Sequence, residues 1–270
     1  MGELDGKTAL ITGGNGRFGR VVARLLASEG ADIAVADMGP TEEAGDLVAE
    51  ITRSGRRAIA IRADVTRSED CRRMVAETFQ AFGTLDIVVA NAGVGGEVGM
   101  TWELSEEAWN TSVDVNLTGA WLTVKHAVPH MIERRYGKII FVSSRSGLRG
   151  EPFTAAYNAA KHGLHGLMKT LAIELGPYEI NVNAICPTSM GSMAGTGEHH
   201  PYFELTTGKK NATEADFDAW AGRQNLFERN TRVTPEEVAE GVLWLASDRS
   251  HLVTGHAIPM DAGWIAKRGG

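Results

Sequence analysis

Short apolar runs alternate with longer stretches in which apolar residues recur every three or four positions, beginning at residue 7 and continuing almost to the end of the chain. Continuous apolar runs read as strands buried on both faces, and the longer stretches read as amphipathic helices, which together describe βαβ units on a parallel sheet. The pattern predicts strands at Lys7–Thr12, Asp32–Ala36, Ala58–Ile61, Leu85–Ala90, Lys138–Val142, Ile180–Ile185 and His256–Pro259. Helices are predicted to begin near Arg17, Thr41, Arg67, Ser105, Phe153 and Pro235. Leu-Ser-Glu-Glu at 104–107 and Val-Thr-Pro-Glu-Glu at 233–237 carry the hydroxyl and acidic residues of helix N-termini. One uninterrupted series of strands and helices implies an α/β fold of a single domain over 1–270. Its core is a doubly wound parallel sheet of about seven strands with helices on both faces. Thr188 to Asn211 bears Gly, Ser and His with little periodicity, a length of loop that a compact domain keeps for function or mobility.

Composition narrows the classes. The 270 residues are 43% hydrophobic, enough for a substantial core, and the net charge is −7 with basic residues scattered, which argues against a nucleic-acid partner. Cys71 and Cys186 stand apart, with no Cys-x-x-Cys spacing, as expected of two reduced thiols in a reducing compartment. The N-terminus lacks a secretory pattern and no apolar run reaches transmembrane length, so the expected location is cytoplasmic with no membrane partner. His199-His200 has no third ligand at suitable spacing, and no metal is expected.

Leu10 to Arg20 places a glycine-rich turn directly after the first strand and before a helix. Glycines let the backbone approach a pyrophosphate, while the helix N-terminus offers unpaired N–H groups and partial positive charge. Asp37 closes the second strand, where a carboxylate accepts from adenosine ribose hydroxyls and repels a 2′-phosphate, so NAD is favoured over NADP. Arg17, in the loop, either meets a phosphate or projects into solvent. Asp64, after the third strand, is a candidate adenine contact or a turn aspartate. Asn91-Ala92-Gly93, after the fourth strand, gives a flat cofactor room to pass or forms a plain turn.

Tyr157 and Lys161 sit four residues apart, on one helical face, and Ser144 ends the apolar run Lys-Ile-Ile-Phe-Val-Ser-Ser. A phenol that works as a base near neutrality needs its anion stabilised by roughly 3 pKa units, and a fixed cation favours that anion. The spacing therefore fits a proton-transfer site.

With these motifs in order, the chain resembles the short-chain dehydrogenase/reductase family, single-domain branch, across essentially its whole length. That resemblance implies a Rossmann fold and a catalytic tetrad of Asn116, Ser144, Tyr157 and Lys161. Ser144 is preferred over Ser143 because it lies thirteen residues before the tyrosine, as in the family. Tyr157 is the implied general acid/base, Lys161 lowers the phenol pKa and bonds the nicotinamide ribose, and Ser144 polarises the substrate oxygen. Asn116 positions a water that links the lysine to solvent. The implied cofactor contacts begin with Gly13, Asn15, Arg17, Phe18 and Gly19 in the loop, with Asp37 and Met38, and with Asp64 and Val65. They continue through Asn91, Ala92 and Gly93, then Tyr157 and Lys161, and end with Pro187, Met190 and Ser192.

Three positions depart from the family pattern: Arg17 stands where glycine is usual, with Gly16 one place earlier; Thr188 follows Pro187 in place of glycine; and Ser192 replaces a threonine. Pro-Thr-Ser-Met at 187–190 and the ending Asp-Ala-Gly-Trp resemble carveol-dehydrogenase-like, mycofactocin-coupled enzymes, implying an apolar or alicyclic secondary alcohol or ketone as small-molecule substrate. Ser146, Glu151, Phe153 and Met193 are the implied substrate contacts, a segment at about 188–230 the implied cover, and a homotetramer the implied assembly. Two other readings compete. One is an NADPH-dependent 3-oxoacyl carrier-protein-type reductase, kept open by Arg145 and Arg149 as a basic docking patch and opposed by Asp37. The other is a non-catalytic dinucleotide-sensing protein, opposed by the presence of all four tetrad residue types.

Overall fold

The computed structural model describes residues 2–190, 201–227 and 232–267. Seven parallel strands form one sheet: β1 (Thr8–Thr12), β2 (Asp32–Asp37), β3 (Ala58–Arg62), β4 (Ile87–Ala90), β5 (Gly137–Val142), β6 (Ile180–Pro187) and β7 (Ala257–Met260). Their order is β3-β2-β1-β4-β5-β6-β7. The order reverses between β1 and β4, and ligands of open α/β sheets bind at the carboxyl ends of strands beside such a switch.

Side chains along each strand point alternately to two cores. Leu10, Ala34, Val88, Ile139, Phe141 and Val182 meet α3 (Ser68–Phe82), α5 (Gly119–Arg134) and α6 (Ala155–Leu175). Ile11, Ile33, Val35, Val89, Ile140 and Ile185 face the opposite side, toward α1 (Arg17–Ser28), α2 (Gly45–Arg53) and α9 (Pro235–Ala246). The strands carry apolar residues at both parities because both faces are covered.

The predicted strands are all present, with ends shifted by one or two residues. Ser105 caps α4 (Glu106–Val113), accepting from the Ala108 N–H at 3.1 Å, and Thr234 and Glu237 form a capping box on α9. Near Thr41 the chain makes a 3₁₀ turn before α2 begins at Gly45, and α6 begins at Ala155 instead of Phe153. Phe153 itself has φ +66°, which removes it from any helix.

The stretch read as a loop from Thr188 contains α7 (Pro201–Thr207), followed by α8 (Glu214–Gln224). Phe203, Phe217, Trp220 and Ala221 bury one another in a third, small core between these two helices. Trp109 and Trp121 are 41% and 42% exposed on α4 and α5. Among the described residues, no helix is long and apolar enough to cross a membrane.

Candidate active site

The glycine turn between β1 and α1 is closed by backbone contacts that tolerate no side chain. Gly13 has φ +60°, and a Cβ there would lie 2.9 Å from Ala92 Cα; a Cβ on Gly19 would fall on the Gly13 carbonyl and 2.7 Å from Gly14 Cα. Gly16 is the residue before the helix, so Arg17 is its first helical residue and needs no glycine conformation. Its displacement by one place from the usual pattern therefore leaves the turn intact. Arg17 is exposed at the edge of the groove, and Phe18 and Gly19 are buried behind it.

That groove has a volume of about 390 Å³ and runs across the ends of β1, β2 and β4. Asp37 and Met38 border it at the end of β2, and Asp64 and Val65 after β3. Asn91, Ala92 and Gly93 form its floor after β4. Asp37 accepts backbone N–H groups of Asn15 at 3.0 Å and Met38 at 2.8 Å, which turns its carboxylate into the groove's rim. Asn15 contributes this N–H and accepts from Arg20 through its side chain, but does not line the groove. Asp64 accepts from the Thr66 N–H and hydroxyl, at 2.9 and 2.7 Å, so it is a turn aspartate that also faces the groove. Asn91 is locked by its amide donating to the Thr12 and Gly13 carbonyls, at 2.9 and 3.0 Å.

A second cavity, of about 400 Å³, is lined by Gly95, Gly96 and Val98, which follow the groove-lining Gly93 and Val94 in the chain. Ser144 and Tyr157 share its wall. Burial pushes the Tyr157 phenol above its ordinary value of 10, opposed by a hydrogen bond with Ser144 and the charge of Arg145. Lys161 stands beside the phenol on the next helical turn. Its Nζ lies 5.5 Å from the Tyr157 ring centroid and donates to the Val142 carbonyl at 2.9 Å. Burial lowers this ammonium to about 8.

Asn116 lies in a π-helical turn, Asp114–Thr118, between α4 and α5. Its side-chain amide donates to the Ser112 and Val94 carbonyls, both at 2.9 Å, and its Oδ1 accepts from the Val94 N–H at 3.2 Å. Such bulges are frequent at functional sites. Gly93 leaves the gap in which Asn116 and Lys161 approach each other: a Cβ on it would lie 2.8 Å from Asn116 Oδ1 and 3.7 Å from Lys161 Nζ.

Beyond Ser144 a set of polar side chains stands on a wall that is otherwise mostly apolar. Ser146, Glu151 and Thr154 line it, with Thr188 and Ser189 after β6 and Tyr202 on α7. Phe153 does not; its carbonyl accepts from the Gly99 N–H at 2.9 Å and its φ turns the chain, so Thr154 takes the lining position. Pro187 ends β6 behind the wall, and Met190 pairs with Val233 in a β-bridge and packs on the α9-side core, outside both cavities. Ser192 and Met193, like His199 and His200, lie outside the described residues.

Sequence reasoning missed the buried charges. The competing carrier-protein reading would place Arg145 and Arg149 on a basic patch, but both turn inward to Glu151, with Nε to Oε1 at 3.4 and 3.6 Å, and both stack on Trp264, at 4.3 and 4.9 Å. Arg145 also donates to the hydroxyls of Thr188 and Ser189, at 3.0 and 3.2 Å. Glu151 accepts the Tyr202 hydroxyl at 2.7 Å. Behind the site His165 is buried on α6, one turn after Lys161, and its Nε2 meets the Ser143 hydroxyl at 2.9 Å and Cys186 Sγ at 3.5 Å. Burial lowers His165 to about 4 and raises Cys186 to about 12.

Comparison with known proteins agrees with this geometry. The family model described as enoyl-(acyl carrier protein) reductase matches residues 17–265. The chain is 35% identical to (−)-trans-carveol dehydrogenase of Rhodococcus erythropolis, over 99% of this chain and 100% of that protein. It is 36% identical to a short-chain dehydrogenase/reductase of Aspergillus oryzae, over 97% of this chain and 95% of that one. The crystal structure of carveol dehydrogenase from Mycobacterium avium in complex with NAD superposes with a TM-score of 0.91 at 35% identity, covering 98% and 99% of the two chains.

Proposed function

The chain belongs to the short-chain dehydrogenase/reductase family, and we propose that it moves a hydride between NAD and an alicyclic secondary alcohol or its ketone. The observation that carries this reading is a pair of cavities lined by successive residues of one segment. Gly93 and Val94 line a glycine-floored groove rimmed by Asp37, and Gly95 and Gly96 line the cavity that Ser144 and Tyr157 face.

A dinucleotide fits that groove. Its floor is bare backbone at Gly13 and Gly93, where a Cβ would collide, and its rim is a carboxylate suited to two ribose hydroxyls and unsuited to a phosphate. The N-terminus of α1 and the Gly13–Gly19 turn would hold the phosphates, Asp37 the adenosine ribose, and Asn91 to Gly93 the flat of the molecule. When bound, NAD supplies the hydride acceptor or donor.

Tyr157 takes the proton from the alcohol oxygen during oxidation and returns it during reduction. Ser144 orients that oxygen by hydrogen bonding. Lys161, fixed to the end of β5, brings a cation to the phenol's side of the groove, and Asn116 holds the backbone of Val94 beside it. Thr188 and Ser189, with α7 and α8, are the cover of the substrate cavity, an assignment supported by the Tyr202–Glu151 hydrogen bond. A homotetramer in a reducing compartment completes the reading, supported by the exposed Trp109 and Trp121 on α4 and α5 and by the free, buried Cys71 and Cys186.

The test is oxidation of a panel of secondary alcohols with NAD and NADP, with Tyr157→Phe as control. The variant is expected to lose about 10²–10⁴-fold in kcat while still binding NADH. Retained turnover would mean another proton donor; turnover with NADP alone would remove Asp37 from its role.

A further inference from the structure

We infer that Arg145 and Glu151 form a second polar subsite in the substrate cavity, and that the alcohol carries a second hydroxyl on its ring: the substrate class is an alicyclic diol. This rests on the oxidoreductase reading above and deepens it. Both residues line the same cavity as Ser144 and Tyr157, and their side chains are only 9% and 3% exposed. Most of the cavity lining is apolar, as an apolar ring requires, yet burying two charges within it costs more than burying hydrocarbon of the same size unless their hydrogen bonds are well satisfied. Here the pair is not a tight bridge. Its 3.4 Å separation exceeds the 2.7–2.9 Å typical of a charged N–H···O bond.

The donors and acceptors of the pair are spread around the cavity instead. Arg145 reaches the Thr188 and Ser189 hydroxyls, and Glu151 receives Tyr202 on its other oxygen. A carboxylate has about four acceptor positions, and a guanidinium only donates. A hydroxyl is the simple ring substituent that suits both, since it donates to the carboxylate and accepts from the guanidinium. A carbonyl can only accept, and a methyl group does neither. The same contacts also tie α7 to the approach of α6, so a purely structural role is the competing explanation, and it makes a different prediction.

The decisive measurement compares kcat/KM with NAD for the isomeric cyclohexanediols against the matching methylcyclohexanols, which replace the second hydroxyl by a group of similar size. In the unaltered protein at least one diol is expected to exceed its methyl counterpart by about tenfold or more, because a site built to pair a hydroxyl rejects the analogue that lacks it. Glu151→Leu and Arg145→Met should each bring that ratio to within about threefold. A structural role would lower both substrates together and leave the ratio standing, which overturns the inference. So does a ratio near one for every isomer in the unaltered protein, a result that needs no variant to fold. Absence of NAD reduction by every alcohol in the series would instead overturn the oxidoreductase reading, and the inference with it.

Discussion

The Lys161 ammonium donates to the carbonyl of Val142 at 2.9 Å, which ties the helix bearing Tyr157 to the end of the strand that runs into Ser144. One hydrogen bond thus fixes the two elements that carry the reacting groups relative to each other. Its setting is costly for the charge: burial lowers the ammonium to about 8 from an ordinary 10.5.

Between about pH 8 and about 10.5 the unfolded chain therefore holds a proton at Lys161 that the folded chain has released. Stability contributed by this site rises with pH across that window. Relative to Lys161→Met, the unaltered protein should gain about 2–3 kcal/mol on passing from neutral to strongly alkaline pH. Parallel urea titrations of the two proteins at both ends of the window measure the difference. A difference independent of pH would mean that Lys161 stays charged throughout.

Asp37 has two tasks at once. Its carboxylate caps the N–H groups of Asn15 and Met38 and presents negative charge to the groove. Asp37→Ser should lower kcat/KM for NAD about tenfold or more through loss of charge-assisted hydrogen bonds, and raise the ratio of NADP to NAD turnover. Steady-state kinetics with both cofactors decide it. An unchanged cofactor ratio would mean that the groove is selected elsewhere.

His165 presents the opposite end of the pH scale. Burial lowers it to about 4 from 6.5, so the fold favours the neutral ring that partners the Ser143 hydroxyl. As pH falls from about 6.5 to about 4, the unfolded chain takes up a proton that the folded chain refuses, and stability is lost. The loss attributable to this group reaches about 3 kcal/mol, and His165→Gln should flatten that part of the acid limb. Thermal unfolding of both proteins across that range tests it; identical acid limbs would assign the loss to other groups.

Much of this architecture was legible in the sequence because parallel strands covered on both faces must be continuous apolar runs, as Ile87–Ala90 and Ile139–Val142 are. The position of Asp37 was legible too, since the strand that carries it ends where the cofactor rule requires. The buried charges were not. Arginine ordinarily lies at the surface, and nothing in the spacing of Arg145 and Glu151 tells that the chain folds back between them. Their burial is completed by Trp264, supplied from the far end of the chain. Likewise α7 and α8 are short and weakly periodic, and their shared core of Phe203, Phe217 and Trp220 is assembled across a loop.

The glycine turn yields the sharpest contrast between two substitutions a few residues apart. Arg17 opens α1 with ordinary helical geometry at an exposed position, so restoring the family's usual glycine there has no turn to relieve. Arg17→Gly should cost at least the helix penalty of glycine, about 0.5–1 kcal/mol, and leave the turn that forms the groove in place. Gly19→Ala meets the opposite situation. The added methyl would fall on the Gly13 carbonyl and against the Gly14 backbone, neither of which can move without opening the turn that forms the groove. Overpacking of this kind costs about 1–3 kcal/mol or more, and NADH binding followed by fluorescence should be lost. If Gly19→Ala bound NADH as well as Arg17→Gly did, the close backbone approach would not be what shapes the groove.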